Sequence, residues 1–298
     1  MERISMSKDV SFSRISLGFW RLLEWNLSDN ELLRFTEECL DIGVSTMDHA
    51  DIYGDYTAEE AFGKAVIKKN PSLRNKMEIV TKCGIVYKSE TARVKYYNYS
   101  EAYIISQLEK SLRYLGVEYV EALLLHRPSP IQDPGEVASA FDKLYASGKV
   151  RAFGVSNFLP EQYRAMKSFL NVPIITNQIE LSPLNMDNIE NGTVDVAIQE
   201  RIHPMIWSPL AGGSIFTGTD DVHRRLREVL ETIRQEIGAN DIGEVAFAWL
   251  LSHPAKMIPI TGSGEIDLVK TPVNALKFKL TMEQWFMIWT AVKGHKVL

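Results

Sequence analysis

Cysteine is scarce. The 298 residues hold two, Cys39 and Cys83. Their spacing suits neither a zinc site nor a disulfide framework, so a reducing compartment and a cytoplasmic location are expected. Histidine is also sparse, at six, and just His49 and His126 fall where they could face a common site. A metal-assisted hydrolase would need several His or carboxylate ligands, so it ranks low and no metal is expected. No apolar run reaches the length of a membrane span. The opening stretch Met1–Asp9 lacks the apolar core of a signal peptide. There is no basic excess either: the net charge of -5 gives no reason to expect a nucleic-acid partner. No stretch rich in Pro, Gly or Ser reads as a linker, so residues 1–298 are expected to form one domain. No Gly-x-Gly-x-x-Gly follows the first apolar run, which argues against an open dinucleotide-binding sheet. Nothing in the composition decides an oligomeric state; a monomer is compatible with it.

What the chain does have is alternation. Apolar runs of strand length alternate with amphipathic runs of helix length. The strand candidates are Ile15–Trp20, Val44–Asp48, Glu78–Lys82, Val120–His126, Val150–Ser156, Ile174–Glu180, Met205–Ser208 and Met257–Ile260. They are rich in Val, Ile and Leu, as parallel strands covered on both faces should be, and their number is that of a (β/α)8 TIM barrel. Capping chemistry supports the helices between them. Ser28 with Glu31 and Thr57 with Glu60 read as capping boxes. Asp133, Pro134 and Glu136 read as an N-cap, a first-turn proline and an acid at the third position. Gly43, Gly116, Gly148 and Gly238 stand where helices should stop. Two additions to the minimal barrel are predicted: a hairpin from Met1 to Arg14 across the barrel bottom, and two helices in Thr217–Gly238 and Asp241–Ser252 before the last strand.

In such a barrel the active site forms at the C-terminal strand ends, and there the sequence places Asp48, Lys82 and His126, with Tyr53 a few residues past Asp48. A phenol is a poor acid near neutrality, with an unperturbed pKa of about 10. A neighbouring ammonium favours the phenolate, which makes the phenol a better proton donor to a carbonyl oxygen. Each of the four taken singly has a blander reading, as a cap, a packing residue or a solvated strand end; together at one rim they do not.

Three segments carry a resemblance to a known family. Gly43-Val44-Ser45-Thr46-Met47-Asp48-His49-Ala50-Asp51-Ile52-Tyr53-Gly54, Gly148-Lys149-Val150-Arg151-Ala152-Phe153-Gly154-Val155-Ser156-Asn157-Phe158 and Trp207-Ser208-Pro209-Leu210-Ala211-Gly212-Gly213 resemble signatures of the aldo-keto reductases, and the likeness runs over nearly the whole chain. The resemblance implies a nicotinamide-dependent enzyme that reduces a small aldehyde or ketone. It implies Tyr53 as proton donor, Lys82 lowering its pKa, Asp48 paired with Lys82, and His126 orienting the carbonyl. It further implies that Ser156, Asn157 and Gln178 hold the cofactor carboxamide, that Trp207 stacks on the nicotinamide, and that Ser208, Leu210 and Ser263 contact the cofactor. The chemistry agrees: a carboxamide needs paired donors and acceptors, and a flat aromatic face can present one side of the ring for hydride transfer.

NADP(H) is the cofactor the family implies. The loop Ile260–Lys270, however, has Leu268 where an arginine for the 2′-phosphate would be expected, Gly262 where some relatives have lysine, and an acid at Glu265. A phosphate there lacks a guanidinium partner, so NAD(H) stays open, with Lys270 as a substitute cation. Trp20, Ile52 and Tyr87 are expected to line the substrate pocket, with Tyr96, Tyr97 and Tyr99 on a segment arching over the rim. A second reading keeps the barrel and the cofactor but makes the protein a regulatory or redox-sensing subunit with little turnover.

Overall fold

All eight apolar runs pair edge to edge in parallel. The computed structural model describes residues 1–297. In chain order its strands are β1 (Arg3–Ser5), β2 (Ser11–Ser13), β3 (Ser16–Gly18), β4 (Thr46–Asp48), β5 (Glu78–Cys83), β6 (Ile85–Val86), β7 (Tyr96–Tyr97), β8 (Val120–Leu125), β9 (Val150–Ser156), β10 (Ile174–Glu180), β11 (Met205–Trp207) and β12 (Ile258–Thr261). Strands β3, β4, β5, β8, β9, β10, β11 and β12 form a closed barrel in that order, with β12 returning to β3. Each predicted barrel strand is present, with ends within one or two residues of the apolar run. Strand pairs β1–β2 and β6–β7 stand outside the barrel as antiparallel ladders.

Strand alternation sorts the core. Leu123 and Leu125 of β8 join the layer between barrel and helices. Ala122 and Leu124, one residue off, join a separate cluster with Val80, Ala152, Met205, Ile258 and Ile260 that fills the barrel interior. The expected N-terminal hairpin is there, and it closes the bottom: Ile4, Met6, Val10 and the fully buried Phe12 belong to the same interior cluster. Truncating Phe12 to Ala would cost about 3–5 kcal/mol by the usual scale for buried aromatics. Ser13 pins the hairpin to β4, its hydroxyl accepting from the Ser45 and Thr46 amides at 3.1 and 3.0 Å.

Helices fall where the caps place them. Ser28 and Glu31 make the full capping box before helix Asp29–Asp41. Asp133 caps Pro134–Ala146 by accepting from Gly135 N–H, while Glu136 accepts from the Glu101 amide instead of closing a box. Thr57 departs from expectation. Its hydroxyl turns back to donate to the Gly54 carbonyl at 2.6 Å and caps no helix. The cause is the preceding turn, in which Gly54, Asp55 and Tyr56 are all left-handed (φ 56°, 50° and 68°), so Thr57 arrives in the wrong orientation. The two extra helices, Asp221–Ile237 and Ile242–Leu251, precede β12. Among the described residues no helix is long and apolar enough to cross a membrane.

Candidate active site

The inward alternation that fills the barrel also aims the site. Lys82 lies two residues beyond Val80, His126 two beyond Leu124, Trp207 two beyond Met205, and each continues an interior row. Asp48 follows the same rule against Thr46, since Met47 between them points to the helices. The polar ends of these rows therefore converge at the barrel mouth.

They meet at hydrogen-bond distance. The Lys82 ammonium is fully buried and spends its three N–H donors on Asp48 Oδ2 (2.8 Å), Tyr53 OH (2.9 Å) and the His49 carbonyl (2.7 Å). That leaves no unsatisfied proton on the ammonium. Burial works against its charge, but the Asp48 carboxylate and the Tyr53 phenol outweigh it, and the net shift of Lys82 is upward. The other Asp48 oxygen accepts from Gln178 Nε2 at 2.7 Å. For Tyr53 burial is the larger effect and raises the phenol pKa, with Lys82 pulling it back down. The lysine thus acts in the expected direction, but the free site as a whole holds the phenol above its ordinary value. His126 presents its ring edge-on to Tyr53, centroids 5.9 Å apart. Burial first, then the charges of Lys82, Arg127 and Lys95, depress its pKa well below the usual imidazole range, so the ring is neutral near pH 7. Its Nδ1 is buried without a hydrogen-bond partner.

A second network abuts the first. Trp207 Nε1 donates to Asn157 Oδ1 (3.0 Å), Asn157 Nδ2 to Ser156 Oγ (2.7 Å), and Ser156 Oγ to the Gln178 carbonyl (2.9 Å). Through Gln178 the chain reaches Asp48, so Ser156, Asn157, Gln178 and Trp207 form one connected group with the buried lysine. Asn157 adopts a left-handed backbone (φ 60°). An amide needs a donor and an acceptor. One hydrogen of Asn157 Nδ2 and the side-chain oxygen of Gln178 remain free of partners among the described residues, and the half-buried Trp207 offers a ring face. These features fit a nicotinamide carboxamide. Ser208, Leu210 and Ser263 lie on the turns after β11 and β12, apart from this network. Ser263 Oγ accepts from the Glu265 amide at 3.0 Å. Leu268 is half exposed, and Lys270 is tied to Asp267 at 2.8 Å.

Of the expected pocket residues, Trp20 is 62% exposed at the rim. Tyr87 is half-buried, its ring edge-on to Tyr56 at 5.7 Å. Ile52 is buried with Ala50 and Ile85 in a small cluster on which Tyr53, Tyr56, Tyr87 and Tyr97 pack. The ladder β6–β7 carries Tyr96 and Tyr97. Tyr99 is a buried anchor, its hydroxyl donating to the Arg127 carbonyl and accepting from the Arg127 amide at 3.0 Å.

Several participants carry no local sequence signal. Tyr56 OH accepts from the Tyr87 amide at 3.0 Å, tying the turn after Tyr53 to the segment over the rim. Asp51 is buried with both carboxyl oxygens unpartnered. Burial first and Glu59 second push its pKa well above the usual carboxylate range. Glu59 itself is buried and accepts from Thr81 Oγ1 at 2.5 Å. His49 is stacked on Phe19 at 4.3 Å, and burial holds its pKa at about 3. Among the described residues no group of three or more His, Cys, Asp or Glu side chains could hold a metal ion. Both cysteines are buried and free; burial pushes the Cys39 thiol up to about 12 and raises Cys83 well above its usual value.

The chain and its barrel have counterparts of known family. The profile of the Aldo/keto reductase family matches residues 14–292. An uncharacterised oxidoreductase of Bacillus subtilis (strain 168), YcsN, is 49% identical over 300 residues, covering 100% of both chains. A 6-dehydroglucose reductase of Agrobacterium fabrum is 42% identical over 301 residues, again covering 100% of both. The structure of an aldo/keto reductase from Klebsiella pneumoniae in complex with NADP and acetate superposes with a TM-score of 0.77 at 24% identity, covering 96% of this chain and 93% of that one. At that identity the likeness speaks for the barrel. The sequence matches over the full chain speak for descent, and this chain belongs to the aldo/keto reductase family of oxidoreductases.

Proposed function

We propose that this protein reduces an aldehyde or ketone to the alcohol, with Tyr53 as general acid. The observation that carries the reading is the buried lysine bonded at once to the Tyr53 phenol and the Asp48 carboxylate. Bound NAD(P)H would supply the hydride to the carbonyl carbon. Tyr53 gives its hydroxyl proton to the carbonyl oxygen as the C=O π bond is lost, which balances the addition. Lys82 steadies the resulting phenolate, and Asp48 holds Lys82 charged and in place. His126, neutral, donates a hydrogen bond to the carbonyl oxygen and so selects its orientation. Asn157 and Gln178 grip the carboxamide, with Ser156 bracing Asn157, and Trp207 packs on the ring. Ser208, Leu210 and Ser263 follow the rest of the dinucleotide. Trp20, Ile52 and Tyr87 border the substrate.

NADP(H) is the cofactor we favour, as the aldo/keto reductase family to which the chain belongs implies. The preference over NAD(H) is expected to be small, since Leu268 offers no charge and Lys270 is engaged by Asp267. For the substrate we favour a sugar-derived aldehyde, on the strength of the 6-dehydroglucose reductase that matches end to end. The free, buried cysteines fit a cytoplasmic enzyme.

The test is a panel of aldehydes, ketones and quinones with NADPH or NADH, followed by cofactor absorbance, on the parent and on Tyr53→Phe. The phenylalanine keeps the ring and loses the transferable proton, so cofactor binding should persist while turnover falls about 10²–10⁴-fold. A parent without turnover on any carbonyl would favour the sensing role; a Tyr53→Phe variant at full rate would remove Tyr53 from the mechanism.

A further inference from the structure

Arg127 follows His126 at the mouth of the barrel, and its placement is built rather than incidental. Its amide and its carbonyl are both held by the phenol of Tyr99, 28 residues earlier in the chain. The Tyr99 ring reaches them only because residue 84 is glycine: a Cβ there would lie 1.9 Å from Tyr99 Cε1. The guanidinium lies 5.5 Å from the centre of the Trp207 ring. It is half-buried, yet among the described residues it makes no hydrogen bond and no ion pair. An arginine carries five N–H donors in a rigid fork, and none of these is spent on another described residue. Its charge also reaches the chemistry, favouring the ionised form of Tyr53 and the neutral form of His126.

We propose that Arg127 is a specificity-determining residue, its guanidinium donating to a hydroxyl oxygen on the carbon next to the carbonyl, so that the site selects α-hydroxy aldehydes over plain alkyl aldehydes. This rests on the carbonyl-reductase reading above and narrows it. His126 and Arg127 are adjacent in the chain. Strand alternation would turn Arg127 away from His126, but past the end of β8 its guanidinium comes back over the inward-facing Trp207 ring, on the side of the mouth where the oxygen next to a carbonyl held by Tyr53 and His126 could reach it. Trp207 backs the guanidinium and limits where it can swing. The guanidinium is only half-buried at the mouth, so its donors are open to a substrate oxygen, whereas an alkyl chain lying over them would displace water without replacing its hydrogen bonds.

The test compares D-glyceraldehyde with propanal, the same three-carbon aldehyde with and without hydroxyls, each expressed per free aldehyde, and adds lactaldehyde to isolate the 2-hydroxyl. The parent should prefer the hydroxylated substrates. In Arg127→Met the ratio of kcat/KM for glyceraldehyde over propanal should fall by about tenfold or more, the scale of a lost charge-assisted hydrogen bond. Arg127→Lys, which keeps the charge but loses the fork, should lie between, and it carries the comparison alone if the methionine variant does not fold. Cofactor dissociation constants are measured beside the rates. An unchanged ratio, an equal loss on both aldehydes, or a loss that tracks weakened cofactor binding would each overturn the assignment. A parent that reduces propanal as well as glyceraldehyde overturns it while sparing the carbonyl-reductase reading. A parent that reduces no carbonyl removes that reading itself.

Discussion

Replacing Lys82 by Met separates what the lysine does for the fold from what it does for the reaction. The side chain is fully buried, and its ammonium is 2.8 Å from Asp48 Oδ2 and 2.9 Å from Tyr53 OH. Methionine fills most of the volume but takes away the cation. The Asp48 carboxylate, itself buried, keeps one partner, the Gln178 amide at 2.7 Å. Breaking a buried pair from one side costs about 3–5 kcal/mol. At about 2–4 °C per kcal/mol for a domain of this size class, the melting temperature should drop by about 6–20 °C. Turnover should fall by about 10²–10⁴-fold at a temperature where the variant is still folded, because the phenol loses the charge that favours its ionisation. The pairing of the two residues is tested by Lys82→Met with Asp48→Asn. The amide removes the stranded charge, so the double variant should melt above the single one while remaining inactive. The pH at which this is measured matters in one direction. The folded-state pKa of Lys82 is raised, so its stabilisation is complete below the unfolded value of about 10.4 and is lost only as pH climbs through the folded value. Melting by circular dichroism and rate by cofactor absorbance, both at pH 7, therefore report the intact pair. A Lys82→Met variant with parental melting and parental rate would refute both roles. A double variant no more stable than the single would mean that the stranded carboxylate is not the source of the loss.

Leu268→Arg combined with Glu265→Lys should raise NADPH affinity and change NADH affinity little, as read by fluorescence titration at equal salt; a parent already binding NADPH orders of magnitude more tightly would refute the reading of this loop. His49 is held neutral with a pKa of about 3, so below the unfolded value of about 6.5 the unfolded chain binds more protons and stability is lost as pH falls toward 3, at up to about 1.4 kcal/mol per pH unit. His49→Phe should flatten that slope relative to the parent, in urea midpoints measured between pH 6.5 and 4; parallel profiles would show that the imidazole is not the cause. Because burial raises the pKa of Asp51 and Glu59 and their linkage has the opposite sign, the difference between variant and parent is the quantity to read. Gly84→Ala should destabilise the β6–β7 ladder, since residue 84 has φ of 113° and its Cβ would strike the Tyr99 ring; an unchanged melting temperature would show that the anchor relaxes freely.

Most of what is local was legible in the chain. The barrel strands stand out because a parallel strand covered on both faces is an uninterrupted apolar run, and Val120–Leu125, buried at each residue, is the clearest case. The inward row at each strand end also follows from period-two alternation, which puts Asp48, Lys82 and His126 at one mouth. Caps whose donors and acceptors lie three residues apart, such as Ser28 with Glu31, were equally readable. Thr57 was not, because its orientation is set by the left-handed turn Gly54–Tyr56 and not by its own spacing to Glu60. What the tertiary structure alone decided is contact across long sequence separations and the burial that goes with it. Gln178 reaches Asp48 from 130 residues away, Trp207 reaches Asn157 from 50, and Tyr99 holds Arg127 from 28. Asp51 and His49 belong to the same motif as Tyr53, yet the raised pKa of Asp51 and the lowered one of His49 come first from burial, with Glu59 adding to the first and Phe19 stacked against the second. A short sequence pattern records which chemical groups are available; the dielectric and the partners that set their charge exist only once the barrel has closed.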